Sequence, residues 1–168
     1  MFPLPSLKKF YKYLMHLFEQ NIKNLGLIIP ELPKALANYV PYKIVGKTMY
    51  VSGQGPVQNG EVQFKGRVGT DITIEDGISA AKLCCINIIA ALSKGIDGDW
   101  EKLDSFIKLN GYVNCKDDFK DQPKVINGAS DMLVEIFGDQ GRHARAAVGS
   151  NALPLGISVE IEAIIQLK

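Results

Sequence analysis

The sequence predicts an α+β fold, a sheet with helices packed on one face. Three observations carry that reading. The coarse element order is helix, strands, helix, strand, helix, strand, strand, with strand pairs at both ends of the alternation. The apolar residues switch between a period near 3.6 and a period of 2 along the chain. At 168 residues with 46% hydrophobic content, there is enough apolar side chain for one real core and one domain.

Taken in order, the first element is helical. Leu7, Phe10, Tyr11, Leu14, Leu17 and Phe18 recur at helical spacing, predicting an amphipathic helix that ends near Asn24-Leu25-Gly26. Lys8, Lys9 and Lys12 interrupt its apolar run, far short of the ~20 residues that span a bilayer. No small-residue cleavage site follows, which argues against a secretory signal. The helix is expected to pack on the body or on a neighbouring subunit. Residues 1–26 are therefore read as an N-terminal helical extension and 27–168 as the α+β domain. Pro30 and Pro33 punctuate the connector between them.

Strands begin at Tyr42. Tyr42–Val45 and Thr48–Ser52 flank a Gly46-Lys47 turn. Asn59-Gly60, between Val57-Gln58 and Glu61–Phe64, is a type I′ hairpin signal. Thr73 and Asp76 have capping-box spacing, with Asp in the Glu position, and open a helix expected to stop at Lys94-Gly95. That helix is apolar almost all round, so Cys84 and Cys85 are read as core packing. Trp100, in a loop or at a strand start, reads as an apolar anchor. Ser105–Asn114 is a strand, with Gly111 as a bulge or close-approach point. A second helix runs past Pro123 through Val125, Ile126, Met132, Leu133 and Ile136 until Gly138 and Gly141 break it. Two last strands flank a Leu153-Pro154 turn. Helices on one face would leave the other bare in a monomer, and exposed apolar sheet of that size marks a subunit interface.

Composition excludes several classes. A net charge of +1, with no Lys/Arg run longer than the pair Lys8-Lys9, argues against nucleic-acid or membrane partners. Three cysteines, two of them adjacent, form no disulfide framework and have no metal-ligand spacing. The two histidines, His16 and His143, lie far from any cysteine in sequence, so no metal is expected. A reducing cytoplasm is the expected compartment.

The chemistry concentrates near the C-terminus. Arg145 sits on a strand among Ala144, Ala146, Ala147 and Val148, and Glu160 and Glu162 alternate with Val159, Ile161 and Ala163. Both carboxylates therefore point away from Val159 and Ile161. Arg145 has two readings: a solvated or structural partner of a glutamate, or a fixed guanidinium fork that receives an anionic carboxylate.

Arg145 followed by Leu153-Pro154 and then Val159-Glu-Ile-Glu162 resembles the C-terminal signature of the RidA/YjgF family, the reactive-intermediate deaminases. A second block, Gly46-Lys-Thr-Met-Tyr-Val-Ser-Gly-Gln-Gly-Pro56, preceded by Tyr39, resembles the same family, as does Asn127 more weakly. The resemblance implies a chorismate-mutase-like mixed sheet, two main helices on one face, and a homotrimer with clefts at subunit boundaries. It implies hydrolysis of enamines and imines derived from amino acids to 2-oxo acids and ammonia, without a cofactor. The alternative is a non-catalytic protein of the same fold that binds a small carboxylate.

By the same resemblance Arg145 receives the substrate carboxylate and Glu160 attends the attacking water, while Glu162 supports the strand. For Glu160 an ion pair with Arg145 is the competing role. Ser52 and Gly53 line the cleft, and Tyr39 reaches it unless it is an ordinary buried aromatic. Asn127 lies near the ligand, or else caps a helix. Ala147 stands where many members carry cysteine and could offer the same backbone N–H. His143 replaces a proline and is read as a surface or interface residue, although an imidazole there could titrate.

Overall fold

Two crossover connections organise the molecule, and both place their helix on the same side of one sheet. The computed structural model describes residues 17–32 and 38–168. Strands β1 (Tyr42–Val45) and β2 (Thr48–Gln54) form a hairpin, and β3 (Val57–Gln58) and β4 (Glu61–Val62) form a separate small one. Helix α2 (Ile74–Gly95) leads to β5 (Leu103–Asn114), and α3 (Gln122–Phe137) leads to β6 (Ala144–Ser150) and finally β7 (Val159–Leu167). Residues 17–24, α1, are helical. The main sheet runs β1-β2-β7-β5-β6, with β5 and β6 parallel and the other neighbours antiparallel.

The local signals act as expected. Thr73 caps α2: its hydroxyl accepts from the Asp76 backbone N–H, and the Asp76 carboxylate accepts from the Thr73 N–H at 3.1 Å. Each such cap contributes about 1 kcal/mol. Asn59 and Gly60 both take positive φ, 54° and 81°, as a type I′ turn requires. The α2 stop differs. Gly95 is still helical, and the left-handed residues are Asp97 and Gly98. Gly95 is instead a packing position, since a Cβ there would lie 2.8 Å from the Met49 Cε. Gly111 is a close-approach point and not a bulge. The register of β5 breaks earlier, between Leu103 and Ser105 and between Phe106 and Lys108, while Ile126 of α3 fills the space of a Gly111 Cβ.

The core lies between the helices and one sheet face. Met49, Val51, Phe106, Leu109, Val113, Val159, Ile161 and Ile165 meet Cys84, Ile88, Leu92, Ile126, Leu133 and Ile136, all buried. Each large side chain contributes roughly 1.5–3 kcal/mol on leaving water. Cys84 and Cys85 are fully buried, and burial pushes both thiols well above their ordinary range, so neither is a thiolate at neutral pH. Helix α2 is long and apolar enough to cross a membrane, but here its apolar residues are spent on the sheet and on α3. Trp100 is buried in a 3-10 turn, its ring 5.8 Å from that of Phe137. Phe18 of α1 packs edge-on against the same Phe137, and Asn21 donates to the Ile136 carbonyl. The expected helix thus docks on the body through its described turns. Residues 1–16, which hold Leu7 to Leu14 of the predicted stripe, lie outside the described residues.

The last two strands are not a hairpin. β5 stands between β6 and β7, so the Leu153-Pro154 turn carries the chain across the end of β5. On the uncovered face, Tyr50, Val45 and Val148 are exposed among Lys43, Lys108, Asn110, Glu160, Glu162 and Gln166. That face is a mixture of aromatic, aliphatic and charged groups, not the apolar surface expected.

Candidate functional site

Strand β6 carries Arg145 opposite Leu109 in the ladder, and Leu109 is fully buried under the helices. Arg145 therefore points to the helix-covered face at the sheet edge. There its Nη1 donates to Asn127 Oδ1 at 2.8 Å and to Ser130 Oγ at 3.0 Å. Asn127 and Ser130 are three apart on α3, hence neighbours on one helical face. Their position depends on close backbone contact. A Cβ on Gly128 would overlap the Ile78 carbonyl of α2, and one on Gly141 would overlap the Leu133 backbone. Asn127 lies in the second turn of α3, whose N-cap is Asp121, so the capping role is excluded.

No carboxylate pairs with Arg145 among the described residues. Its side-chain partners are neutral acceptors, which orient the guanidinium without cancelling its charge. Ala147, opposite Gly111, lies on the same face and is partly buried against the core. Because β6 is an edge strand, alternate backbone N–H groups along its rim have no ladder partner.

Glu160 belongs to the other face. It stands opposite Tyr112 in the β5–β7 ladder, beside Glu162. Glu162 accepts from Asn110 Nδ2 at 2.7 Å and from the Tyr112 hydroxyl at 3.4 Å, a supporting role in the strand. Glu160 has no hydrogen-bond or ion-pair partner among the described residues. Burial, and secondarily the Glu162 charge, hold its carboxyl above the usual carboxylate range. Burial and the same charges push the Tyr112 hydroxyl up as well. The expected alternative, a Glu160–Arg145 ion pair, does not form, because the sheet separates the two side chains.

Gly53 lies against Glu160: a Cβ there would occupy the carboxylate's own space, with Cδ at 2.8 Å. The Ser52 hydroxyl donates to the Val40 carbonyl at 2.7 Å, tying the segment that carries Tyr39 to β2. Tyr39 is 55% exposed, so it is not the buried aromatic that competed with its cleft role. Buried Asn87 of α2 holds the following loop by donating to the Gly55 and Val57 carbonyls, both at 3.0 Å. The expected site residues therefore form two groups: Arg145, Asn127 and Ala147 on the helix side, and Glu160, Gly53, Ser52 and Tyr39 around the uncovered face and its edge.

Sequence reading missed Ser130, and the surface or interface reading of His143 did not include its contact with that serine. His143 is half-buried, with Nε2 3.1 Å from Ser130 Oγ and Nδ1 2.7 Å from the Gly141 carbonyl oxygen. The three-residue spacing of Ser130 from Asn127 on one helix was the available signal.

The fold and these two groups define an α+β protein with an oriented arginine at one sheet edge, without an ionic partner among the described residues, and a desolvated glutamate on the opposite face. The family description "YjgF/chorismate mutase-like, putative endoribonuclease" matches residues 19–164, and the chain belongs to this YjgF/RidA family. It is 36% identical to Protein TCP17 of Trypanosoma cruzi over 88% of this chain and 92% of that one. Among solved structures, the protein Atu1372 of Agrobacterium tumefaciens, described as of unknown function, superposes with a TM-score of 0.89. The identity is 40%, covering 97% of this chain and all of that one. RidA of the Antarctic bacterium Psychrobacter sp. superposes with a TM-score of 0.56 at 27% identity, covering 81% of this chain and 94% of that one.

Proposed function

We propose that this protein hydrolyses reactive enamines and imines derived from amino acids, releasing a 2-oxo acid and ammonia. The observation that carries the reading is the Arg145 guanidinium, held by Asn127 and Ser130 and left without an ionic partner among the described residues. A planar fork of this kind suits a carboxylate, which a Lys would meet only as a point charge. In the reaction, an enamine first takes a proton on carbon to become the imine. Water then adds to the imine carbon, its proton passing to nitrogen, and the carbinolamine expels ammonia. Glu160, whose carboxyl holds its proton above the usual range, is suited to exchange that proton with the water. The site supplies orientation and charge placement to an already electrophilic carbon, so no cofactor is required.

Arg145 and Glu160 cannot reach one ligand from a single chain, so the reading requires a cleft shared between copies. A homotrimer with its uncovered sheet faces turned inward, in the cytoplasm, is the assembly we infer. The separation of the two groups also favours a second reading: a protein that binds small carboxylates at Arg145 alone and does no chemistry. RNA cleavage, which the family description mentions, has little support in a chain of net charge +1 without a basic stripe.

The deciding experiment adds freshly generated 2-aminoacrylate, or a bulkier imine, to the purified protein and follows ammonia. Arg145→Lys should lose most of the release while keeping the fold, and Glu160→Gln should lose release but keep pyruvate binding by calorimetry. If wild type and Glu160→Gln both bind pyruvate and neither speeds imine decay, the protein is a binding module.

A further inference from the structure

We propose that Ser130 and His143 form a hydrogen-bonded relay that locks the Arg145 guanidinium with its Nε–Nη2 edge toward the ligand. The hydrogen-bond directions follow from donor chemistry. A carbonyl oxygen only accepts, so the 2.7 Å contact to Gly141 places the proton on His143 Nδ1. In the neutral ring Nε2 is then an acceptor, and the Ser130 hydroxyl at 3.1 Å donates to it. Ser130 Oγ is thereby left to accept from Arg145 Nη1 at 3.0 Å, while Asn127 Oδ1 takes the other Nη1 proton at 2.8 Å. Both protons of Nη1 are used. The parallel pair on Nε and Nη2, which has no hydrogen-bond partner among the described residues, is what remains for two carboxylate oxygens.

The anchor at the far end of the relay is rigid. Gly141 packs against the Leu133 backbone with no room for a Cβ, so its carbonyl holds a fixed place under the imidazole. Burial, and to a lesser extent the Arg145 charge, depress the basicity of His143, in keeping with a neutral ring that accepts. A guanidinium already tied at one nitrogen loses less freedom when a carboxylate arrives. His143 acts only through Ser130 and is a positioning residue.

The proposal rests on the carboxylate reading for the identity of its ligand, but its first test needs no ligand. In the intact assembly labelled with 15N, His143 should show the Nδ1–H tautomer, and the Arg145 Nη signals should be resolved by slow rotation. Ser130→Ala should collapse those Nη signals toward an average. Ser130→Ala should also weaken pyruvate binding about five-fold, the equivalent of one hydrogen bond. His143→Ala should weaken binding in the same direction, and His143→Gln, whose Oε1 can accept from Ser130, should recover at least half of that loss. An Nε2–H tautomer, or Arg145 signals indifferent to Ser130→Ala, overturns the relay. If the wild type shows both signatures yet binds no pyruvate, the relay stands and the carboxylate reading falls.

Discussion

Arg145 and Glu160 stand on opposite faces of the same sheet. Arg145 shares the helix-covered side with Leu109, and Glu160 shares the uncovered side with Tyr112. One strand, β5, lies between β6, which carries Arg145, and β7, which carries Glu160. Within one chain they are an arginine with no ionic partner among the described residues and a separate desolvated acid.

Assembly should join them. Arg145→Ala and Glu160→Gln, each inactive alone, should regain a measurable fraction of ammonia release when co-expressed, because mixed assemblies contain clefts with both residues intact. Light scattering of the wild type should report about three chains. A clean monomer, or mixed assemblies verified by mass spectrometry that stay inactive, would count against a shared cleft.

Asn127 offers a way to silence Arg145 without touching it. Asn127→Asp places a carboxylate where a neutral oxygen now accepts at 2.8 Å, so the guanidinium acquires an internal ionic partner. Pyruvate binding should fall at least ten-fold by calorimetry, with a melting temperature at or above that of wild type. Unchanged affinity would show that ligands do not use this arginine.

Gly53→Ala tests the space beside Glu160. The new Cβ claims the position of the carboxylate, which must swing away, a cheap move for a side chain end. Imine hydrolysis should drop ten-fold or more, while pyruvate affinity stays within about two-fold. Retained turnover would mean that the present placement of Glu160 is not the one used.

The stability of the wild type should carry the mark of Glu160. Its folded pKa lies above the ordinary 4.5 through burial and then through Glu162. Below the unfolded value both states are protonated and there is no penalty. As pH rises through the folded value, the native state must bear a desolvated charge and stability is lost. Glu160→Gln should therefore melt higher than wild type at pH 7.5, and the gap should close near pH 4. A gap that is constant with pH would place its origin elsewhere.

Much of this protein is legible in its sequence because much of it is local. The Thr73–Asp76 cap, the Asn59-Gly60 turn, and the alternation that turns Glu160 and Glu162 from Val159 and Ile161 each depend on residues a few positions apart. The motifs around Ser52, Arg145 and Glu160 are likewise short stretches of chain. What local pattern does not encode is which strands pair across the chain. β5 enters between β6 and β7, and α3 lays Ile126 over Gly111 of β5, arrangements made by packing between separate elements. That insertion sets Arg145 beside α3, gives it Asn127 and Ser130, recruits His143 through the Gly141 turn, and puts the thickness of the sheet between Arg145 and Glu160. Residue identity came from the chain. Which residues share a face, and which can meet only through a second copy, was decided by tertiary packing, because hydrogen-bond partners and desolvation exist only once distant segments are brought together.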